Sequence, residues 1–183
     1  MTADGLPAPP FSEWLAGMRG ALRGEHDADV PCGECTACCR ASQFVPIEAD
    51  ETAVLAHIPD ELRFPAPGRP PGTVVLGFDQ HGACPMLTDA GCSIYDHRPR
   101  ACRMYDCRIF AATGVAVEGP QQAEVARQVR RWRFAFPTAA DHAAQMTLRH
   151  ATDAVRASVL RRPAGTAAPG AIEVAVRAVD RPR

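Results

Sequence analysis

The amino-acid sequence predicts an α+β protein: a small, irregular, cysteine-rich domain with few short strands, followed by two C-terminal helices. Three observations lead there. All eight cysteines fall between residues 32 and 107, and four of them lie within Cys32-Gly33-Glu34-Cys35-Thr36-Ala37-Cys38-Cys39. The 183 residues include 17 prolines and 14 glycines, which keep most elements short. Beyond residue 120, apolar residues recur at helical spacing over two longer runs.

In chain order, these signals divide the sequence into an N-terminal segment 1–25, a cysteine domain 26–112, a helical extension 113–162, and a linker and tail 163–183. Residues 1–10 are rich in Pro and Ala and are expected to be loose. Ser12 is placed to cap a short helix over 12–23, where Trp14, Leu15, Met18 and Leu22 share one stripe and Gly17, Gly20 and Gly24 weaken it. Ser42–Val45 reads as a short extended piece. Glu48 to Ile58 reads as a helix with its acids early, where they complement the dipole, and with Val54, Leu55 and Ile58 buried. The proline-rich stretch 59–72 is expected to be an irregular surface loop. Thr73 to Phe78, β-branched and apolar between turn signals, is the best strand.

Pro99 suits the first turn of a short helix that would carry Cys102 and Arg103. Residues 121–135 are expected as an arginine-rich helix. Its Val125, Val129 and Trp132, with Phe136, recur at helical spacing, while Arg127, Arg130, Arg131 and Arg133 lie mostly elsewhere. Pro137 ends it. Thr138-Ala139-Ala140-Asp141 then resembles a capping box, opening a second helix striped by Ala144, Leu148, Ala151, Val155 and Val159 and stopped by Pro163. Residues 163–170 read as a linker, and the alternation of Ile172, Val174 and Val176 as a short final strand.

The composition is that of an ordinary globular chain, 46% hydrophobic and 22% charged. A net charge of −1 makes no general case for nucleic acid or a membrane surface. The charge is uneven, however. Residues 26–112 hold twelve acids and seven arginines, a balance of −5, whereas 121–162 balance at +5. The arginine-rich stretch is either a solvated helix face or a docking surface for an acidic protein partner. No aromatic platform interleaves it, so nucleic acid is not expected. No run is long and apolar enough for a membrane span and no secretory pattern is visible, so the expected setting is the reducing cytoplasm. Structural disulfides would be out of place there.

The cysteines then read as metal ligands. A C-x2-C-x2-C run lets a tight loop turn successive thiolates toward one centre. Candidate ligands are Cys32, Cys35, Cys38, Cys39, Cys84, Cys92, Cys102 and Cys107. Eight thiolates serve two tetrahedral zinc sites, two iron–sulfur clusters, or one centre with thiols to spare. Cys38 and Cys39 are adjacent and their side chains tend to diverge, so one of them is expected to serve a second site or none. The second half of the set lacks the second C-x2-C knuckle of a zinc ribbon, and Cys84 is followed by Pro85. This favours iron–sulfur over Zn2+ slightly, although spacing alone does not choose a metal. Arg40, Arg103 and Arg108 each follow a cysteine directly and are expected to offset thiolate charge or hydrogen-bond a sulfur. His81 and His97 are alternative ligands, while Glu34, Asp96 and Asp106 are nearby acids.

These motifs resemble the YkgJ-type cysteine-cluster family, described as a zinc- or iron-chelating domain. The matching residues are Cys32-Gly33-Glu34-Cys35-Thr36-Ala37-Cys38-Cys39-Arg40, Cys84-Pro85-Met86-Leu87, and Cys92-Ser93-Ile94-Tyr95 with Arg98-Pro99 and Cys102-Arg103-Met104-Tyr105-Asp106-Cys107. The resemblance covers residues 30–110 and implies a metal centre held by the eight cysteines. A related domain occurs in flagellin lysine N-methylases, which are longer. This chain has no G-x-G-x-x-G fingerprint for a nucleotide-like methyl donor. The expectation is a metal-binding structural or interaction module. The alternatives are a redox or protein-modifying enzyme using the metal centre, and a carrier that hands metal on.

Overall fold

Leu6–Pro10, expected to be loose, form a strand that pairs in parallel with Trp132–Ala135, aligning Leu6 with Trp132 and Pro10 with Ala135. Three of its five residues are prolines, which lack an N–H and are tolerated because this ribbon has only two strands. In this computed structural model the chain is described over residues 5–28, 30–163 and 168–181. Residues 1–4 of the segment expected to be loose and residues 164–167 of the expected linker lie outside them. The class is α+β, as the sequence predicts. The chain folds into two units. A helical unit contains Met1–His26, Asp106–Glu118 and Ala126–Arg183, and a cysteine unit contains Asp27–Tyr105 and Gly119–Val125.

The first helix of the helical unit, Phe11–Leu22, buries Trp14, Leu15 and Met18 as their spacing requires, together with Phe11 and Ala21. Ser12 is not its cap. Pro10 holds that position, and Ser12 donates both its N–H (3.0 Å) and its hydroxyl (2.6 Å) to Asp141. Asp141 also completes the capping box of the longest helix, Ala139–Leu160: it accepts the Thr138 N–H at 3.0 Å, and Thr138 Oγ1 accepts the Asp141 N–H at 3.3 Å. One buried carboxylate therefore fixes the starts of two helices. The Ser12 and Thr138 hydrogen bonds hold its carboxyl well below the usual carboxylate range.

Two expectations reverse here. Residues 121–135 are not one helix, because the helix spans Ala123–Val129 and Trp132–Ala135 are a strand. The pair Trp132 and Phe136 fits a period of four or of two. The alternation Trp-Arg-Phe-Ala-Phe decides for two, and it turns Phe134 onto Phe11 (5.1 Å between ring centroids) and Trp14 (5.0 Å). The expected strand at 172–176 is part of a helix, Ala171–Asp180, that buries Val174, Ala175, Ala178 and Val179. That i, i+1, i+4, i+5 set is a helical face, and the Ile172 that suggested alternation is exposed. The short helix Arg108–Thr113 ends at Gly114 with φ 70°, the left-handed conformation that favours glycine after a helix.

The cysteine unit is built from much shorter pieces. Val74–Leu76, within the predicted strand, is the centre of a three-stranded antiparallel sheet flanked by Val45–Ile47 and Arg63–Pro65. The stretch 59–72, expected to be an irregular loop, supplies that second edge strand and a 3-10 turn, Asp60–Leu62. The expected helix 48–58 contracts to one turn, Thr52–Leu55, and Glu51 before it is non-helical, at φ −81° and ψ 47°. The buried apolar cluster comprises Ile47, Val54, Ile58, Leu76 and Ile94, and Cys84 and Cys92 pack against it.

Candidate metal centre

Seven cysteines from four segments belong to the cysteine unit. Cys32 and Cys35 flank a tight turn closed by the Cys35 N–H onto the Cys32 carbonyl (2.9 Å), with Gly33 at φ 54°. Cys38 and Cys39 follow in a 3-10 turn, Cys38–Arg40. The Cys84 N–H donates to the Cys39 carbonyl at 2.7 Å and so ties the two halves of the set together. Cys92 ends the hairpin of Leu87–Thr88 with Gly91–Cys92, in which Leu87 faces Cys92. Cys102 sits on the helix Arg100–Arg103, whose N-cap is Pro99, one residue before the predicted position. The eighth, Cys107, belongs to the helical unit, where it is buried and its Sγ accepts the Trp132 Nε1–H at 3.2 Å. All eight are thiols rather than disulfides.

The electrostatics show which thiols sense one another. Burial pushes Cys102 up to about 12, aided by the charges of Cys84, Cys39 and Cys92. Burial also raises Cys84 and Cys92, and Cys39 adds to both. Two backbone groups oppose this rise: the Met86 N–H supports the Cys84 thiolate and the Ile94 N–H the Cys92 thiolate, each from two residues downstream. Cys38 is raised, first by its hydrogen bond to Cys39 and then by the charges of Cys39, Cys102 and Cys32. The same hydrogen bond lowers Cys39 to about 7, with help from Arg40 and Arg98. Six thiols thus form one interacting group: Cys32, Cys38, Cys39, Cys84, Cys92 and Cys102.

This donor set fits a soft cation. Thiolates held together raise each other's proton affinity, and a metal relieves that repulsion by replacing the protons. N–H groups aimed at sulfur two residues upstream stabilise the thiolate form such a metal requires. Among the described residues, no three His, Cys, Asp or Glu side chains are already gathered closely enough to hold one ion.

The arginines that follow cysteines have different surroundings. Arg40 favours the Cys39 thiolate, and its Nε lies 3.4 Å from Thr36 Oγ1. Arg103 pairs with Asp27 at 3.1 Å and donates to the Arg98 carbonyl. Arg108 lies in the helical unit, in a buried pair with Asp106 at 2.9 Å, and Asp106 also accepts the Trp14 Nε1–H at 2.8 Å. His97 stacks on His57, with ring centroids 3.8 Å apart, and both are exposed. His81 is exposed, with its ring 3.3 Å from Gln80. Glu34 is exposed in the turn between Cys32 and Cys35, and Asp96 is exposed in the 3-10 turn Tyr95–His97. Sequence reasoning missed Arg98, which favours the thiolates of Cys39, Cys92 and Cys102 together. The only signal was its place beside Pro99 in the cysteine motif.

A family model described as "CxxCxxCC: Putative zinc- or iron-chelating domain" matches residues 31–128. No curated protein and no solved structure matches the chain.

Proposed function

The chain belongs to the CxxCxxCC family of zinc- or iron-chelating domains, and from that premise we propose that its cysteine unit holds an iron–sulfur centre and acts as a structural or interaction module. One observation carries the reading: six thiols from four segments interact as one group, and the backbone supports at least two of them as thiolates. Cys39, Cys84, Cys92 and Cys102 are the proposed core ligands, because Cys102 senses the other three. Cys32, Cys35 and Cys38 complete the set or serve a second site. Iron–sulfur is favoured over zinc because the triple run C-x2-C-x2-C and the Cys84-Pro85 pair match cluster ligation better than paired zinc knuckles. When bound, the centre supplies cross-linking of four short segments that bury little on their own.

Arg127, Arg130 and Arg133 are exposed and offer cations to an acidic protein partner, although they line a short helix, a turn and a strand rather than one helix. Among the described residues no helix is long and apolar enough to cross a membrane. The proposed setting is the cytoplasm, where the thiols stay reduced.

The test is metal and acid-labile sulfide content per chain after purification without oxygen. Iron with matching sulfide is expected. Zinc without sulfide would keep the module and overturn the cluster. A folded chain with neither metal would overturn the reading altogether.

A further inference from the structure

Among the described residues of the cysteine unit, Glu51 is the only charged side chain that is buried. A carboxylate taken out of water is costly unless its oxygens are hydrogen-bonded. Here both go to backbone N–H groups: Oε2 accepts that of Glu48 at 3.0 Å, and Oε1 accepts that of Arg100 at 2.6 Å. The first bond is local. The second reaches 49 residues along the chain, to the first residue of the helix Arg100–Arg103 that carries Cys102.

That helix cannot place itself. It has four residues, too few to stand alone, and its N-cap, Pro99, supplies no side-chain bond. The Arg100 N–H is one of the donors that a helix leaves without an internal partner, and Glu51 takes it from outside. Three further contacts join the same two segments. Asp50 pairs with the Arg100 guanidinium at 3.0 Å, the His57 and His97 rings stack at 3.8 Å, and Ile94 shares the buried cluster of Val54 and Ile58. The ion pair and the stacked rings are exposed, so water weakens them, whereas the Glu51 bond is charge-assisted and buried. At the other end of the helix the Arg103 carbonyl accepts the Ala28 N–H at 3.1 Å. Cys102 lies between these two anchors.

We propose that Glu51 is a positioning residue for the metal centre: its carboxylate seats the one-turn helix so that the Cys102 sulfur stands where the other thiolates can share a metal with it. The proposal rests on the metal-binding reading above. Glu51 acts through the helix and not on the sulfur. The Cys102 N–H is bonded to the Pro99 carbonyl at 2.8 Å, so a shift of the first turn carries Cys102 with it. A ligand held by a buried bond outside the ligand set is the usual way a metal site fixes its geometry.

The experiment uses the full chain, loaded with Co2+ and read by the thiolate-to-cobalt absorption and by iodoacetamide labelling mapped to each cysteine. Glu51→Ala is expected to weaken Co2+ binding about tenfold. At saturating Co2+ its absorption band should be smaller than the parent's, and Cys102 should become the labelled cysteine while the others stay protected. Glu51→Asp keeps the charge but shortens the reach, and is expected to expose Cys102 in the same way should Glu51→Ala not fold. Val54→Ala is the control: it loosens the same buried cluster without touching the Arg100 bond, and its saturated band should match the parent's. If saturated Glu51→Ala shows the parent's band with Cys102 protected, the carboxylate serves the fold alone and the proposal is overturned. The same holds if Val54→Ala loses the band equally, because any loosening would then do. If the parent itself takes up no Co2+, the metal-binding reading fails and this inference falls with it, whereas an unaltered Glu51→Ala in a metal-binding parent removes this inference alone.

Discussion

The helical unit and the cysteine unit are held by different forces. In the helical unit, helices of 12, 22 and 10 residues bury Phe11, Trp14, Leu148 and Val179. Two polar networks lie within it, Asp106 with Arg108 and Trp14, and Asp141 with Ser12 and Thr138. Between Asp27 and Tyr105 the longest helix has four residues and the longest strand three. A cluster of five buried apolar residues, with seven partly buried ones packed on it, is a small core for so much irregular backbone. That region also holds a group of thiols whose ionised forms would repel one another. One part of the chain is stabilised by burial, whereas the proposed metal centre would supply part of the stability of the other.

The comparison can be broken most forcefully at a thiol. Cys102→Ser should abolish tight metal binding, a loss beyond the roughly 100-fold typical of changes outside the ligand set, and should destabilise the cysteine unit. Cys35→Ser should also lose metal and lower the melting temperature. Full metal content after this change would remove Cys35 from the centre and leave the rest.

On the other side of the comparison, Asp106→Ala leaves the Arg108 charge buried without its carboxylate. The expected cost is about 3–5 kcal/mol in denaturant unfolding followed by tryptophan fluorescence, with metal content unchanged. A loss of metal alongside would contradict the separation of forces. Thr138→Ala removes half of a capping box and should cost about 1 kcal/mol in the same assay.

The smallest effect is a pH dependence. The folded carboxyl of Asp141 lies below its unfolded value of about 3.9. Its contribution is therefore fully present above that value and is lost as pH falls through the folded one. Asp141→Asn should be less stable than the parent at neutral pH, and the gap should narrow as the solution is taken below about pH 4. A gap that does not change with pH would mean that the hydrogen-bond geometry, and not the charge, ties the two helix starts together.

Much of this was legible in the residues. The Trp14 stripe, the Thr138–Asp141 capping box, the strand at Val74–Leu76 and the short helix carrying Cys102 all follow from local chemistry that tertiary packing did not override. Two of the failures share a physical cause. Trp132 and Phe136, and Ile172, Val174 and Val176, fit two periodicities at once, and only the surfaces they pack against choose between them. Of the site, the cysteine loop was plain from spacing. Arg98 was not, because an arginine's role depends on which acids surround it. Arg103 and Arg108 found theirs in Asp27 and Asp106, while Arg98 found a tyrosine face.

The most direct test of the account is amide hydrogen exchange on the full chain, metal-loaded and then stripped by a strong chelator. The account predicts that amides of 30–105 lose protection when the metal is removed, while those of Phe11–Leu22 and Ala139–Leu160 keep theirs. Protection that stays unchanged across 30–105 in the stripped protein would contradict it, because the cysteine unit would then be standing on burial alone.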